Sequence, residues 1–230
     1  MGQRTFADRA SAGHLLGRHL RGLGLTDPVV LGLPRGGVVV AAGVAAELAV
    51  PSNVFVARKI GHPVQPEFGV GAIAEGGEPV YDRDMLHRLG LQPGELDSVV
   101  AAEREELARR VQTYRAGRAL PRLAGRTVVL VDDGIATGVT ARAALRTLRT
   151  HGPDRLILAA PVGAAASLRD LAGEADETAV LETPTPFGAV GRWYDDFGQV
   201  SDDQVLAVLA VPAVQAESPV PPTPPGPQSR

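Results

Sequence analysis

The sequence predicts an α/β fold, a parallel twisted sheet with helices on both faces. Three observations lead there. Short β-branched apolar runs end in glycine-containing turns and pass into helical patterns, the order of strand–helix–strand units. The strand candidates are apolar almost throughout rather than alternating, as strands covered on both faces are. The length, 230 residues with 44% hydrophobic and 21% charged, suits one well-packed domain of ordinary composition.

Taken in order, apolar positions at Leu15, Leu16, Leu20 and Leu23, with His19 among them, form a helical stripe from Ser11, and Asp8 or Ser11 is available as its N-cap. "VVLGL" (29–33) is a strand closed by "PRGG", and the alanine-rich run after it is a helix, too short to span a membrane. "VFVAR" (54–58) reads as the next strand, and "KIGHPVQPEFGVGAIAEGGEP" after it, aperiodic and rich in Pro and Gly, as a long mobile loop. "PGELDSVVAAEREELARRVQTYRAG" is a long surface helix with Glu105–Arg109 and Glu106–Arg110 at i, i+4 spacing. "TVVLVDD" (127–133) is a strand, "VTARAALRTLRTHG" a helix stopped by Gly152 and Pro153, and "RLILAAPV" with "AAASLRDLAGEA" a third unit. From residue 212 onward seven prolines fall within nineteen residues, the composition of a disordered tail.

Charge and composition narrow the function classes. The net charge of −3 provides no basic field for nucleic acid, and the basic and aromatic interleaving that single strands need is missing. The chain has no cysteine, which removes disulfides, thiolate catalysis and cysteine zinc sites together. The N-terminal segment lacks the apolar core of a signal peptide, so a cytoplasmic protein with neither membrane nor nucleic acid as partner is expected.

The chemistry concentrates in "LVDDGIATGVT" (130–140). A parallel strand delivers Asp132 and Asp133 to the carboxyl end of the sheet, where ligands of such sheets bind. Consecutive residues leaving a strand point to different sides, so the pair suits two neighbouring groups such as vicinal hydroxyls, or a hydroxyl and a metal-bound water. Ala136, Thr137, Gly138, Val139 and Thr140 then turn into a helix start, where unpaired amides and the dipole favour an anion and small side chains let a phosphate approach. Acids for sugar hydroxyls beside amides for a phosphate describe a ribose 5-phosphate. A P-loop would need a lysine that is not there, a dinucleotide fingerprint would need three spaced glycines, and a haloacid-dehalogenase-like phosphatase would need an aspartate where Gly134 stands. A plain helix N-cap leaves two acids and five small residues unexplained.

"VVLVDDGIATGVT" resembles the phosphoribosyl-pyrophosphate (PRPP) signature of the type I phosphoribosyltransferases, and in particular a bacterial subgroup of predicted members. "LGLPRGGVVVAAGVAAEL" is similar to the family's pyrophosphate loop, which implies Arg35, Gly36 and Gly37 as pyrophosphate ligands and a cis Pro34–Arg35 peptide. "RKIGHPVQPEFGVGAIAEGG" is similar to the mobile loop, with Arg58 and Lys59 at its base, Lys59 implied as a further pyrophosphate ligand, and His62 and Glu67 within it. "FGAVGRWYDDFGQVSDD" (187–203) resembles the hood of the hypoxanthine-guanine enzymes. That implies Trp193 and Tyr194 as base-binding aromatics and Asp195 as a metal ligand beside Asp132 and Asp133. The resemblance implies a domain over 1–211, with a helical insertion about 82–124 and a hood about 183–205, ahead of the tail at 212–230. It further implies Mg2+, a homodimer, and transfer of ribose 5-phosphate to a nitrogenous base with release of pyrophosphate. Asp132, Asp133, Arg35 and Lys59 would be the catalytic groups, under a loop closing over 59–75. One departure stands out. The resemblance implies a purine-like acceptor, but where purine enzymes commonly carry an aspartate that handles the N7 proton this chain has Ala136, so that another group takes the proton, the acceptor needs none, or the acceptor is not a purine; a PRPP-binding regulator without transfer activity is the alternative function.

Overall fold

Apolar strands and amphipathic helices alternate through most of the computed structural model, which describes residues 5–210. The expected tail at 212–230 lies outside the described residues. The main sheet has five strands: β1 (Pro28–Gly32), β2 (Ser52–Val54), β6 (Thr127–Val131), β7 (Arg155–Val162) and β8 (Glu177–Glu182). Their order is β2-β1-β6-β7-β8 and every neighbouring pair is parallel, the predicted fold class.

The two-residue period of the strands builds two cores from one sheet. Val129 and Val131 of β6 join Leu16 and Leu20 of α1 (Arg9–Arg21) and Val40 and Val44 of α2 (Gly36–Leu48) on one face. Val128 and Leu130 join Ala144, Leu145 and Leu148 of α5 (Val139–Thr150) and Leu171 of α6 (Ala165–Leu171) on the other. Of the two N-cap candidates for α1, Asp8 is used: its carboxylate accepts from the Ser11 amide at 2.7 Å.

Three expectations need correction. "VFVAR" is not one strand. It divides between β2 in the main sheet and β3 (Ala57–Gly61), because Phe55 still donates to Gly32 of β1 while Val56 already accepts from Glu75 of the next sheet. The stretch after it is not a long loop, since β3 pairs antiparallel with β4 (Gly69–Ala74), and β4 with β5 (Val80–Tyr81). Val70, Ala72 and Ile73 of β4 are buried, and only the hairpin tip at 62–68 is left as a loop. Finally, α4 (Asp97–Arg115) is more than a surface helix: Val100, Leu107 and Tyr114 are buried against α3 (Arg83–Leu89), β4 and α7 (Asp202–Ala210) in a further core. Glu106 does pair with Arg110 at 2.7 Å, but Arg109 also turns to Glu106 rather than to Glu105.

Candidate functional site

β1 and β6 lie side by side in register, Gly32 opposite Val131, yet their following helices leave in opposite directions, to β2 on one side and β7 on the other. The crevice above such a switch point is where an open α/β sheet holds its ligand. Two expected loops, 33–37 and 132–140, border it.

The first loop is seated on the second. Leu33 donates to the carbonyl of Val131 at 2.9 Å, the Pro34–Arg35 peptide is cis, and α2 starts at Gly36. Close approach explains both glycines. A Cβ on Gly36 would stand 1.9 Å from Asp133 Oδ2, and one on Gly37 would stand 2.7 Å from the Val131 carbonyl oxygen. The Arg35 side chain is partly exposed and lies 3.8 Å from Asp202, which also accepts from the Tyr114 phenol at 2.6 Å. Burial and that carboxylate push the Tyr114 phenol up to about 12.

Both acids are half-buried. Asp132 Oδ1 accepts from the Asp133 amide at 2.9 Å, and among the described residues its Oδ2 has no hydrogen-bond partner. Asp133 is held from several sides: Arg9 Nε donates to its Oδ2 at 2.8 Å, and the Tyr194 phenol donates to its backbone carbonyl at 2.6 Å. Burial and the neighbouring Asp133 charge raise Asp132 well above the usual carboxylate range; burial also raises Asp133, opposed by Arg9.

Beyond the acids, Ile135 is tied to β7 through its amide on Val162, at 2.9 Å, and its carbonyl accepts from Ala164 at 2.8 Å. The chain then turns at Gly138, whose φ of 74° favours glycine, into α5. Among the described residues the amides of Ala136, Thr137, Gly138, Val139 and Thr140 meet no acceptor. From Ala136 and Thr137 a cleft of about 760 Å³ opens toward Arg83, Arg88, Arg142 and Arg146.

The remaining candidates scatter. Lys59 is exposed on β3, and its ammonium donates to the Glu67 carbonyl at 2.9 Å across the hairpin. Arg58 pairs with Glu103 at 2.7 Å. His62 organises the tip, its Nδ1 accepting from the amides of Val64 and Gln65. Trp193 and Tyr194 are core residues, packed with Phe6 and Val162, which corrects the expectation that they stack on a base; their polar atoms are spent on the carbonyls of Phe187 and Asp133. Asp195 is exposed, and no cluster of three His, Asp or Glu side chains able to hold a metal occurs among the described residues, so Asp195 does not complete a site with the pair. Sequence reasoning missed Arg9. Its only signal was an arginine on a helix with Ala12 and Gly13, and no acid, at the positions one turn ahead.

A model of the phosphoribosyl transferase domain matches residues 7–183. The chain belongs to the phosphoribosyl transferase family. The match spans both loops of the crevice and all of the main sheet. Two proteins of Mycobacterium tuberculosis, strains CDC 1551 / Oshkosh and H37Rv, provisionally named as phosphoribosyl transferases, are 46% identical over 204 residues. The alignment takes in 89% of this chain, and the chain spans about half the length of these relatives, 46% of each. A solved neighbour in fold, the TT1426 protein of Thermus thermophilus, is 44% identical with a TM-score of 0.75 over 89% of this chain and 97% of its own. No helix among the described residues is long and apolar enough to cross a membrane.

Proposed function

We propose that this chain is a phosphoribosyltransferase that binds PRPP with Mg2+ and moves ribose 5-phosphate to a nitrogenous base, releasing pyrophosphate. The observation that carries this reading is the row of five unspent amides at 136–140, set at a helix start directly after two carboxylates and at the switch point of the sheet. Those amides, with the hydroxyls of Thr137 and Thr140, take the 5-phosphate. The acids face the ribose hydroxyls. Arg35 and the amides of Gly36 and Gly37, opening α2, receive the pyrophosphate, with Lys59 approaching from the hairpin.

The donor set fits magnesium, a hard cation that keeps waters and borrows substrate oxygens, so one or two carboxylates suffice. Asp132, whose Oδ2 meets no hydrogen-bond partner among the described residues, would hold it, with Asp133 beside it. When bound, the cation neutralises charge developing on the leaving pyrophosphate. The residues here would do the rest: fix the phosphate, orient the ribose and, by closing the tip at 62–68, exclude water. A homodimer working in the cytoplasm belongs to the same reading.

One observation favours a second reading. Ala136 occupies the place where a general base is expected, and its exposed methyl can take no proton, which suits a PRPP-binding regulator without transfer activity. Calorimetry with PRPP and Mg2+ decides the first step: the wild type binds, and Asp132→Asn with Asp133→Asn does not. Unchanged affinity in the double variant removes the site. Product formation from labelled PRPP over a panel of bases then separates enzyme from regulator.

A further inference from the structure

We propose that Arg9 divides the work of the acidic pair, holding Asp133 as a fixed structural anion and leaving Asp132 as the carboxylate that meets the ribose hydroxyls and their cation. The inference rests on the reading of Asp132 and Asp133 just given.

Arg9 lies on the first turn of α1, and three independent contacts fix its guanidinium. Nε donates to Asp133 Oδ2 at 2.8 Å, Nη1 donates to the Gly198 carbonyl at 2.8 Å, and the group lies over the Phe197 ring at 3.8 Å from its centroid. The side chains of Arg9 and Asp133 are 11% and 18% exposed, so the pair is largely withdrawn from water. The space for it exists because position 36 has no side chain: a Cβ there would meet both Asp133 Oδ2, at 1.9 Å, and Arg9 Nε, at 2.8 Å.

The chemical consequence differs for the two acids. The Arg9 guanidinium already occupies Asp133 Oδ2 and is a cation beside any second cation. Asp133 is also held through its backbone by Tyr194. Among the described residues Asp132 has only the Asp133 amide on one oxygen and no partner on the other. With both carboxyls ionised, Arg9 lowers the formal charge that the motif carries from −2 to −1. A divalent ion finds one open carboxylate, too few without donor oxygens to complete its shell. Arg9 is thus a positioning residue, and it makes cation binding depend on the donor.

Mn2+ titration of the full chain without PRPP, with free ion followed by electron paramagnetic resonance, tests this directly. The wild type and Arg9→Lys are expected to hold Mn2+ weakly. Arg9→Gln is expected to bind one Mn2+ about tenfold more tightly, and adding Asp133→Asn to it abolishes the gain. In calorimetry with PRPP and Mg2+, Asp132→Asn loses affinity by about tenfold or more, whereas Asp133→Asn loses less affinity than Asp132→Asn and shows the larger drop in melting temperature. Equal loss of donor affinity in the two single variants overturns the inference, as does a wild type that already holds Mn2+ as tightly as Arg9→Gln. Should Arg9→Gln not fold, the contrast between the two aspartate variants decides alone. A wild type that binds no PRPP while Arg9→Gln gains its Mn2+ site defeats the functional reading and leaves the division of the acids standing.

Discussion

The Tyr194 phenol donates to the backbone carbonyl of Asp133 at 2.6 Å, although 61 residues separate them. The bond ties the segment before α7 to the acidic turn, and burial with the nearby Asp133 charge pushes the phenol far above its ordinary range. Tyr194→Phe leaves a buried carbonyl without its partner. A loss of about 1–3 kcal/mol in denaturant unfolding is expected, together with weaker PRPP binding. Wild-type stability in this variant would mean that the bond contributes nothing net.

Gly36 and Gly94 give a matched pair of alanine substitutions. At Gly36 a methyl would collide with the Asp133 carboxylate, whereas at Gly94 nothing stands within 4 Å. Gly36→Ala is expected to cost about 1–3 kcal/mol and to abolish PRPP binding, while Gly94→Ala is neutral or stabilising by up to about 1 kcal/mol. Thermal melts and donor calorimetry on both variants would show it. Equal behaviour of the two would contradict the close approach of the loops.

Ala136 invites a gain-of-function experiment. If the acceptor is a purine whose N7 proton goes unassisted, Ala136→Asp should raise turnover of hypoxanthine or guanine, with the upper range of general-base help at roughly 10²- to 10⁴-fold. No increase with either base points to another class of acceptor.

Glu75 and Arg115 form a largely buried ion pair, and among the described residues Glu75 Oε2 has no hydrogen-bond partner. Burial raises the Glu75 carboxyl above its usual 4.5, against the pull of Arg115. A raised carboxyl binds more protons folded than unfolded, so its contribution to stability falls as pH rises through the window above 4.5. Arg115→Met removes the opposing charge and widens that window upward. The variant should lose about 3–5 kcal/mol near neutral pH, and urea midpoints should recover on going from about pH 8 to about pH 5. A pH-independent loss would assign the effect to packing alone.

Much of the fold was readable because β1, β6 and β7 are nearly unbroken apolar runs followed at once by small residues and a helical stripe. The small residues after Asp133 marked 132–140 as a ligand loop, whereas Arg35, Gly36 and Gly37 entered only through the family resemblance. Other parts had no local signal. Gly69–Ala74 is made of Gly, Ala, Val and one Ile, so its strand character comes from burial between α5 and α4 and not from propensity. β8, "ETAVLE", is flanked by acids and reads as a helix edge as readily as a strand. Trp193 and Tyr194 sit amid glycines and aspartates, the setting of an exposed loop, and contacts distant in sequence, among them the bridge from Phe6 to Tyr194, turn them inward. The Arg9 pair spans 124 residues, and no helix-period rule reaches that far.

The passage from the large sheet to the small one takes only Phe55 and Val56, both wholly sheltered, one fastened to each side. With no slack at that joint, the β3–β4–β5 unit is expected to move with the main sheet rather than as a flap. If the proposed sugar phosphate is covered on binding, the bend is expected at the seven residues from His62 to Phe68, and a fluorophore at the protruding Val64 should report a ligand's arrival while one near Ala72 stays silent.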